Sequence, residues 1–332
     1  MSAPAIVAEN LVKRYGVLEA LKGVSFSVPE GQVLGLLGPN GAGKTTAVRI
    51  LTTLLRADSG RALVLGRDVR AEAATVRASI GLAGQNAAVD ENLTAHENLR
   101  LVGRLTHMAT DDIASRSDEL IEQFSLGHAG NRLVRTFSGG MRRRLDLALA
   151  LVHRPPVLFL DEPTTGLDPL GRTDLWTVIQ GLVGKGTTVL LTTQYLEEAD
   201  QLAHNIVVID HGSVIAEGTS AELKGRFGAT VIEVAFRDDD AATTASELLA
   251  HVGAVARDGS LIKVNVNDGA LAMLETVRVI DGAHLEPTSM ALREPTLDDV
   301  FLALTGHAAE ELPVEEDAAD TGKSRRGRHK SS

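Results

Sequence analysis

A glycine-rich segment that ends in Lys44 and Thr45 has the residue types and spacing that bind nucleotide phosphates. It matches the pattern G-x-x-x-x-G-K-[ST], in which the glycines let consecutive main-chain N–H groups face a phosphate where a helix begins. Lys44 is placed to reach the β- and γ-phosphates, and Thr45 to bring its hydroxyl to Mg²⁺. The alternative is a glycine-rich turn without a ligand, but the apolar run before it and the helical pattern after it favour phosphate binding. The predicted phosphate-binding residues are Gly38, Pro39, Asn40, Gly41, Ala42, Gly43, Lys44, Thr45 and Thr46.

Two adjacent carboxylates, Asp161 and Glu162, follow the apolar run 157–160. Such a run predicts a buried strand, and the acids at its end complement a phosphate-binding loop. Asp161 is expected to hold the metal through water, and Glu162 to orient and deprotonate an attacking water. A strand that ends in solvated acids is the alternative, and the phosphate-binding loop elsewhere in the chain argues against it.

The segment 137–141 (FSGGM) is followed directly by Arg142, Arg143 and Arg144. Ser138 is a good cap for a helix that begins here. Cations in the first turn oppose the helix dipole, so an anionic group is expected nearby, either a nucleotide phosphate or acidic residues of a partner. Alternatively, the three arginines extend into water, as their long aliphatic stems allow.

The elements that must position these residues follow from the hydrophobic pattern. The run 32–37 (QVLGLL), which is apolar after Gln32, predicts a strand buried on both faces, and the spacing over 43–55 predicts a helix. Residues 92–127 have helical character, which opens with a capping box at Thr94 and Glu97. From 157 to 217, short apolar runs alternate with helical patterns, as in a parallel sheet that closes with a hairpin at His211-Gly212.

A second unit begins at about residue 228, where strand-like and helix-like segments suggest the order βαββαβ and a last helix at 297–304. Beyond His307 the chain becomes acidic and then basic, which predicts a disordered tail. A solvated tail is favoured over one whose basic end contacts anionic lipid.

Composition excludes several classes of protein. The hydrophobic fraction of 44% and the charged fraction of 23% are those of an ordinary globular protein, and no apolar run has the length of a membrane span. Zero cysteines exclude disulfides and thiolate metal sites, and the net charge of −11 argues against nucleic acid as a partner. The N-terminal residues lack a basic flank followed by an apolar stretch, so a signal peptide is not expected.

Six motifs occur in the order typical of the ABC transporter ATPases, which the chain resembles from residue 4 to about 225. They are Tyr15, the phosphate-binding loop, Gln85, the segment 138–141, the acidic strand and Gly166-Leu167-Asp168. The resemblance implies an α/β fold, the P-loop NTPase cassette of ABC proteins, with a parallel core sheet, an N-terminal antiparallel sheet and a helical insert. The cassette is expected over 1–225 with its insert at about 92–137, a small C-terminal α+β domain over 226–307, and a disordered charged tail over 308–332.

The same resemblance implies ATP and Mg²⁺ as ligands and assigns roles to single residues. Tyr15 would stack on adenine, although it could also be an ordinary half-buried strand aromatic. The implied catalytic residues are Glu162, Gln85 and Gln194, and the implied metal ligands are Thr45, Gln85 and Asp161. Ser138, Gly139 and Gly140 would bind the γ-phosphate of ATP held by a second copy of the chain, and Asp168 would lie at that dimer interface.

Two positions depart from the family pattern. The segment 138–141 is the signature of this family, and Met141 stands where the signature usually has glutamine. A polar contact is lost, while the serine and both glycines remain. Gln194 stands where most members have a histidine that contacts the γ-phosphate. A glutamine can donate a hydrogen bond to phosphate but cannot accept or carry a proton, which predicts modest turnover or greater dependence on Glu162.

Several segments resemble one exporter branch of the family, the daunorubicin/doxorubicin-resistance ATP-binding subunits, and the likeness extends to His307. They include the motifs SGGMRRR, EPTTGLDP, TTQYLEEAD and LDDVFLALTG. In that branch glutamine is usual at the position where most members have the γ-phosphate-contacting histidine, so Gln194 marks the branch rather than an inactive site.

Membership of this branch implies a motor that drives efflux of a hydrophobic drug, antibiotic or lipid. Two motors would pair with two permeases of the ABC-2 type at the cytoplasmic face of the membrane, and the permease would bind most of the substrate. The alternative is a non-transport ATPase or an immunity protein that binds the drug and acts on a soluble partner. The C-terminal domain would add dimer contacts or, alternatively, regulate or stabilise the permease.

Overall fold

The computed structural model describes residues 3–85, 88–227, 230–266 and 268–305. The strands are β1 (Ile6–Tyr15), β2 (Leu18–Val28), β3 (Val33–Leu37), β4 (Ser59–Val64), β5 (Arg67–Asp68), β6 (Ile80–Ala83), β7 (Val157–Asp161), β8 (Thr188–Thr193), β9 (Asn205–Asp210), β10 (Ser213–Gly218), β11 (Thr230–Ala235), β12 (Ala254–Asp258), β13 (Leu261–Val266) and β14 (Ser289–Arg293). The helices are α1 (Lys44–Leu51), α2 (Ala73–Ala78), α3 (Ala95–Leu105), α4 (Thr110–Gln123), α5 (Gly139–Ala150), α6 (Pro169–Val183), α7 (Leu196–Leu202), α8 (Ser220–Phe227), α9 (Asp239–Leu249), α10 (Gly269–Gly282) and α11 (Leu297–Thr305), with 3-10 turns at Gly127–Ala129 and Val134–Thr136. None of the helices within these ranges combines the length and apolar character that a bilayer crossing needs.

A six-stranded sheet in the order β10-β9-β3-β8-β7-β6 forms the centre of the cassette. Its strands are parallel except for β10, which closes the predicted hairpin with β9. Every residue of β3, β7 and β8 is buried, which explains the continuous apolar runs of β3 and of β7 up to Leu160. Helix α1 ends at Leu51, earlier than the pattern over 43–55 indicates, because Thr53 adopts a left-handed backbone conformation (φ 66°).

An antiparallel sheet in the order β2-β1-β4-β5 packs against the central sheet. Ile6 and Val24 of this second sheet share one hydrophobic core with Phe159 and Leu190 of the central sheet. The expected N-terminal antiparallel sheet is therefore present, and it holds the end of β1 beside the phosphate-binding loop.

Helices α3 and α4 form the expected helical insert. The predicted capping box is present, since Thr94 Oγ1 accepts from Glu97 N–H (3.2 Å) and the Glu97 carboxylate accepts from Thr94 N–H (2.8 Å). Buried Leu120, Ile121 and Phe124 join the core that also contains the apolar face of α5. The insert is thus packed onto the helix that follows the FSGGM segment.

The C-terminal unit has the predicted order βαββαβ, with strands arranged β12-β13-β11-β14. Its sheet is antiparallel, as in two interleaved split βαβ motifs, and it has a core of its own with α9 and α10. Helix α11 instead packs on the cassette, where Leu297, Val300 and Phe301 join buried residues of β3, α7 and α8. The expected boundary at residue 225 falls within α8, and the expected tail lies outside the described residues.

Candidate functional site

The phosphate-binding loop joins the end of β3 to the start of α1 at the carboxyl edge of the central sheet. Gly43 precedes α1 with φ 110°, and no side chain caps the helix, as a loop that presents N–H groups to an anion requires. Gly38 has no room for a side chain, because a Cβ there would lie 2.1 Å from the Ile209 carbonyl oxygen. The loop is therefore built to bring main chain close to a ligand.

The buried ammonium group of Lys44 lies across this loop. Its Nζ donates to the carbonyl oxygens of Gly38 (2.7 Å) and Pro39 (3.1 Å) and lies 3.5 Å from Glu162 Oε1. Lys44 thus faces both the loop that would hold the phosphates and the carboxylate that would act on water.

Asp161, at the end of β7, is the centre of a group of oxygen-bearing side chains. Its Oδ1 accepts from the hydroxyls of Thr192 (2.5 Å) and Thr45 (3.1 Å), and Gln85 Nε2 donates to Thr45 Oγ1 (3.3 Å). Hydroxyl, carboxylate and amide oxygens suit Mg²⁺, which keeps several waters and binds substrate phosphates. The residues expected to hold the metal, Thr45, Gln85 and Asp161, therefore lie together and fit the ion.

Glu162 has an unusual backbone for a residue with a side chain, with φ 51°. Its N–H donates to the carbonyl and to the hydroxyl oxygen of Thr192, both at 3.1 Å. Strained conformations of this kind persist only where surrounding contacts fix them, and they cluster at functional sites. The contacts turn the Glu162 side chain towards Lys44 rather than along the direction of β7.

A cavity of about 240 Å³ connects these groups with the end of β1. It is lined by Tyr15, Leu18, Ala20, Asn40, Gly41, Ala42, Gly43, Lys44, Thr45, Thr46, Gln85 and Glu162. Tyr15 is 46% exposed, with Lys13 Nζ 5.8 Å from its ring centroid, so the side chain remains accessible to a planar ligand from the cavity. The structure thus brings Tyr15, most of the phosphate-binding loop, Gln85 and Glu162 to a single cavity, whereas Asp161 and Gln194 are not among its lining residues.

Ser138, Gly139, Gly140 and Asp168 do not line that cavity. Ser138 caps α5 as expected, since its hydroxyl accepts from Met141 N–H (3.2 Å), and Asp168 caps α6 by accepting from Gly171 N–H (2.8 Å). Ser138 and Gly139 are exposed. These residues therefore form a second surface, separate from the phosphate-binding loop of the same chain.

Gln194 follows β8 directly, beside the phosphate-binding loop. The preceding residue, Thr193, accepts through its carbonyl oxygen from Gly38 N–H (3.4 Å). The Gln194 Oε1 atom is buried and has no hydrogen-bond partner among the described residues. Its amide is thus next to the loop without being committed to a protein partner through oxygen.

The three arginines after the signature differ in their surroundings. Arg142 forms a salt bridge with Glu91 (3.2 Å), whereas Arg143 is buried and bonds Asp146 (3.2 Å) and several main-chain carbonyls. For Arg143, the alternative of an arginine that extends into water is wrong, and the anionic group beside it is Asp146 of its own chain rather than a nucleotide phosphate or a partner's acid.

Two further residues near the site were not predicted. Thr192 bonds both Asp161 and Glu162, and its signal is only its position at the end of a strand parallel to β7. Glu198 is fully buried, and burial raises its pKa to about 7, while nearby polar groups of Thr193, Thr164 and Trp176 act in the opposite direction. No sequence pattern distinguishes it from Glu197.

Comparison with known proteins agrees with this geometry. The profile of the family described as "ABC transporter" matches residues 21–165. A daunorubicin resistance ATP-binding protein of Streptomyces coeruleorubidus is 53% identical over 92% of this chain and 97% of its own length. The daunorubicin/doxorubicin resistance ATP-binding protein of Streptomyces peucetius is 49% identical over 95% of this chain and 97% of its own length. A linearmycin resistance ATP-binding protein of Bacillus subtilis is 36% identical over 90% of this chain and 97% of its own length.

Solved structures give the same result for the cassette. An ATP-binding subunit of an ABC transporter matches with a TM-score of 0.62 at 28% identity, over 68% of this chain and 93% of the other. A dimeric ATP-binding cassette bound to ADP and phosphate after hydrolysis matches with a TM-score of 0.61 at 25% identity, over 64% of this chain and 98% of the other. The fold class predicted from the sequence is confirmed, and the chain belongs to the ABC transporter ATPases, the subunits that hydrolyse ATP in these transporters.

Proposed function

We propose that this chain is the motor subunit of an exporter that removes a hydrophobic drug, antibiotic or lipid through a separate permease of the ABC-2 type. The single observation that supports the motor role best is the convergence of Glu162, Lys44, Asp161, Thr45 and Gln85 at one carboxyl edge of the sheet. The resistance proteins at about 50% identity over nearly the whole chain support the drug-export role.

In the proposed reaction, Tyr15 stacks on adenine and the main chain of 38–46 binds the phosphates. Mg²⁺, held through Thr45, Gln85 and Asp161, would supply positive charge against the phosphate oxygens when bound. Lys44 moves from its carbonyl partners to the β- and γ-phosphates, which also releases Glu162 from its 3.5 Å contact. Glu162 then orients the attacking water and accepts its proton, while the Gln194 amide donates to the γ-phosphate.

Cassettes of this family work as dimers joined to a membrane permease, and we propose a second copy of this chain as the partner. Ser138, Gly139 and Gly140 are exposed or half-buried and lie outside the cavity of their own chain, so they are available to the γ-phosphate in the other copy. Asp168 is exposed at the start of α6 and follows Leu167, which lies against Gly140. A dimer built this way completes two sites at once.

The hydrophobic substrate is proposed to bind mainly to the permease, with this chain attached at the cytoplasmic face of the membrane. Only 3% of the residues are aromatic, and the single tryptophan, Trp176, packs against the core of the cassette. The chain therefore offers little flat aromatic surface for a drug.

The test uses Glu162→Gln, which removes the base but keeps the size of the side chain. The tagged full-length variant is purified from membranes of its native host with ATP and Mg²⁺, and co-purifying proteins are identified by mass spectrometry. We expect a trapped ATP-bound dimer with a stoichiometric polytopic membrane protein. A trapped dimer with soluble partners alone would contradict the exporter role and favour the non-transport alternative.

A second arm of the test addresses catalysis. The variant should bind ATP with an affinity within about threefold of the parent while its turnover falls at least about 100-fold, since only the proton acceptor is lost. Hydrolysis at the parental rate would contradict the role proposed for Glu162.

A further inference from the structure

Arg143, in the first turns of α5, has a full set of hydrogen-bond acceptors although it is only 6% exposed. A guanidinium carries five N–H donors in a fixed plane. Five acceptors surround this one: Nε donates to Pro163 O (2.8 Å), Nη2 to Asp161 O (3.2 Å) and Glu162 O (3.0 Å), and Nη1 to Asp146 Oδ2 (3.2 Å) and Gly84 O. A lysine, with three donors at one point, cannot reproduce this pattern.

Four of the five acceptors are main-chain carbonyls at the ends of β6 and β7, which are adjacent parallel strands. Gly84 immediately precedes Gln85, and the other carbonyls belong to 161–163, the segment that contains Glu162. The strained main chain of Glu162 is thus fixed from two sides. Thr192 binds its N–H, and Arg143 binds its carbonyl oxygen.

Asp146, one turn further along α5, adds a contact on the far side of the Gln85 loop. It is 3% exposed and accepts from Ala88 N–H through Oδ1 (2.8 Å). Helix α5 therefore contacts the described parts of this loop on both sides, through Arg143 at Gly84 and through Asp146 at Ala88.

We propose that Arg143 is a positioning residue: it ties α5, the helix that begins at Ser138, to the main chain of Glu162 and to the entrance of the Gln85 loop. The geometry of hydrolysis in one copy then depends on the position of its α5. This inference rests on the proposed function, in which the start of α5 contacts ATP held by the second copy. Closure on that ATP would set Glu162 and Gln85 of the same chain that contributes the signature.

The acidic groups that face the guanidinium are Asp146, Glu198, Asp161 and Glu162. Burial lowers the pKa of Arg143 from its ordinary value and these acids oppose that shift, so the side chain remains protonated. Arg143→Lys keeps the positive charge opposite these acids and removes the planar guanidinium with its five N–H donors. It is therefore the informative substitution.

The experiment compares the full-length parent with Arg143→Lys in steady-state ATPase and equilibrium ATP-binding assays. We expect kcat to fall about 100-fold, as a displacement of about 1 Å at the reacting groups can cause, while the Kd for ATP changes less than about threefold. A kcat within about twofold of the parent would overturn the inference. So would a parallel loss of kcat and ATP affinity, since that pattern indicates general damage to the fold.

Arg116→Lys is the matched control. Arg116 is also 6% exposed and also donates to main-chain carbonyls, those of Leu151 (2.7 Å) and Val152 (3.3 Å), but these lie at the other end of α5. We expect this variant to lose stability and keep the kcat of its folded fraction. If both variants lost kcat equally, a merely structural role would explain Arg143.

A double variant, Arg143→Gln with Asp146→Asn, keeps the assay decisive if the lysine variant does not fold. It removes both buried charges and leaves an oxygen for Ala88 N–H. Parental stability with a low kcat in the double variant supports a positioning role for Arg143, and parental stability with a parental kcat overturns that role.

Glu162→Gln, measured in parallel, separates the two proposals. Activity that is lost there but kept in Arg143→Lys overturns only the inference, whereas activity kept in Glu162→Gln overturns the catalytic assignment and the inference together.

Discussion

Removal of the Thr192 hydroxyl tests whether the two acids at the end of β7 are held by their neighbour on β8. This side chain is fully buried, and its hydroxyl donates to Asp161 Oδ1 at 2.5 Å and accepts from Glu162 N–H at 3.1 Å. Thr192→Val keeps the branched shape of the side chain and deletes both hydrogen bonds. Each partner retains one other bond, Asp161 to the Thr45 hydroxyl and Glu162 N–H to the Thr192 carbonyl.

The expected magnitude follows from the charge of the acceptor. A hydrogen bond to a charged group contributes about 1.5–3 kcal/mol, against about 0.5–1.5 kcal/mol for a neutral pair. Because neither partner is left without a bond, we expect the free energy of unfolding to fall by about 2 kcal/mol. At about 2–4 °C per kcal/mol for a chain of this class, Tm falls by about 4–8 °C. We also expect kcat to fall about tenfold, since Glu162 loses one of the contacts that fix its main chain.

The assay is urea unfolding together with ATP turnover, with Thr276→Val as the control. Thr276, in α10, is also fully buried, and its hydroxyl donates to the neutral Ala272 carbonyl at 2.8 Å. The control should lose about 1 kcal/mol and keep the parental kcat. Equal losses of free energy in the two variants would refute the argument from charge. An unchanged kcat in Thr192→Val would refute the argument that Thr192 fixes Glu162.

Two further predictions concern the adenine contact and a buried acid. Tyr15→Ala should raise the Kd for ATP about 5- to 150-fold, the effect of losing a stacking contact worth about 1–3 kcal/mol, while Tyr15→Phe stays near the parent in equilibrium titrations. Equal affinities in all three proteins would exclude stacking. Burial raises the pKa of Glu198 from 4.5 to about 7, so between these pH values the folded chain binds a proton that the unfolded chain has released. The stability that this proton contributes is fully present below pH 4.5 and is lost as pH rises through about 7. In urea unfolding at a series of pH values, the parent should therefore lose more stability over this window than Glu198→Gln, and parallel profiles would show that Glu198 does not titrate there.

Local patterns were sufficient to predict the parts of the site that lie within one short segment. The glycine spacing before Lys44 and the acids after the run 157–160 determine the loop and the acidic strand without reference to the rest of the chain. Continuous apolar runs likewise predicted that β3 is buried on both faces and that β7 is a buried strand, because exposed strands alternate.

Contacts between distant segments could not be predicted in this way. Thr192 bonds a carboxylate 31 residues away, and Arg143 bonds a carbonyl 59 residues away, so neither has a local signal. An arginine in the first turn of a helix is ordinarily solvated, and only the tertiary fold reveals that Arg143 is enclosed. Helix α11 shows the same limit, since the local pattern predicted a helix at 297–304 within the C-terminal unit but not that it packs on the core of the cassette.

The strand order predicts that ATP binding and hydrolysis respond differently to movement of the insert. The central order β3-β8-β7-β6 places the loops after four strands at one edge, where a ligand at the phosphate-binding loop meets all of them. Helix α5 contacts the loops after β6 and β7 through Arg143, while the loop after β3 lies close to the Ile209 carbonyl of β9 and is bonded through Gly38 N–H to the Thr193 carbonyl at the end of β8. Since α3 and α4 pack against α5, a force on the insert reaches the Gln85 loop and Glu162 through Arg143, and it reaches 38–46 one step later, through the contacts of Gln85 with Thr45 and of Glu162 with Lys44. A permease that acts on the insert would therefore change turnover more strongly than affinity for ATP.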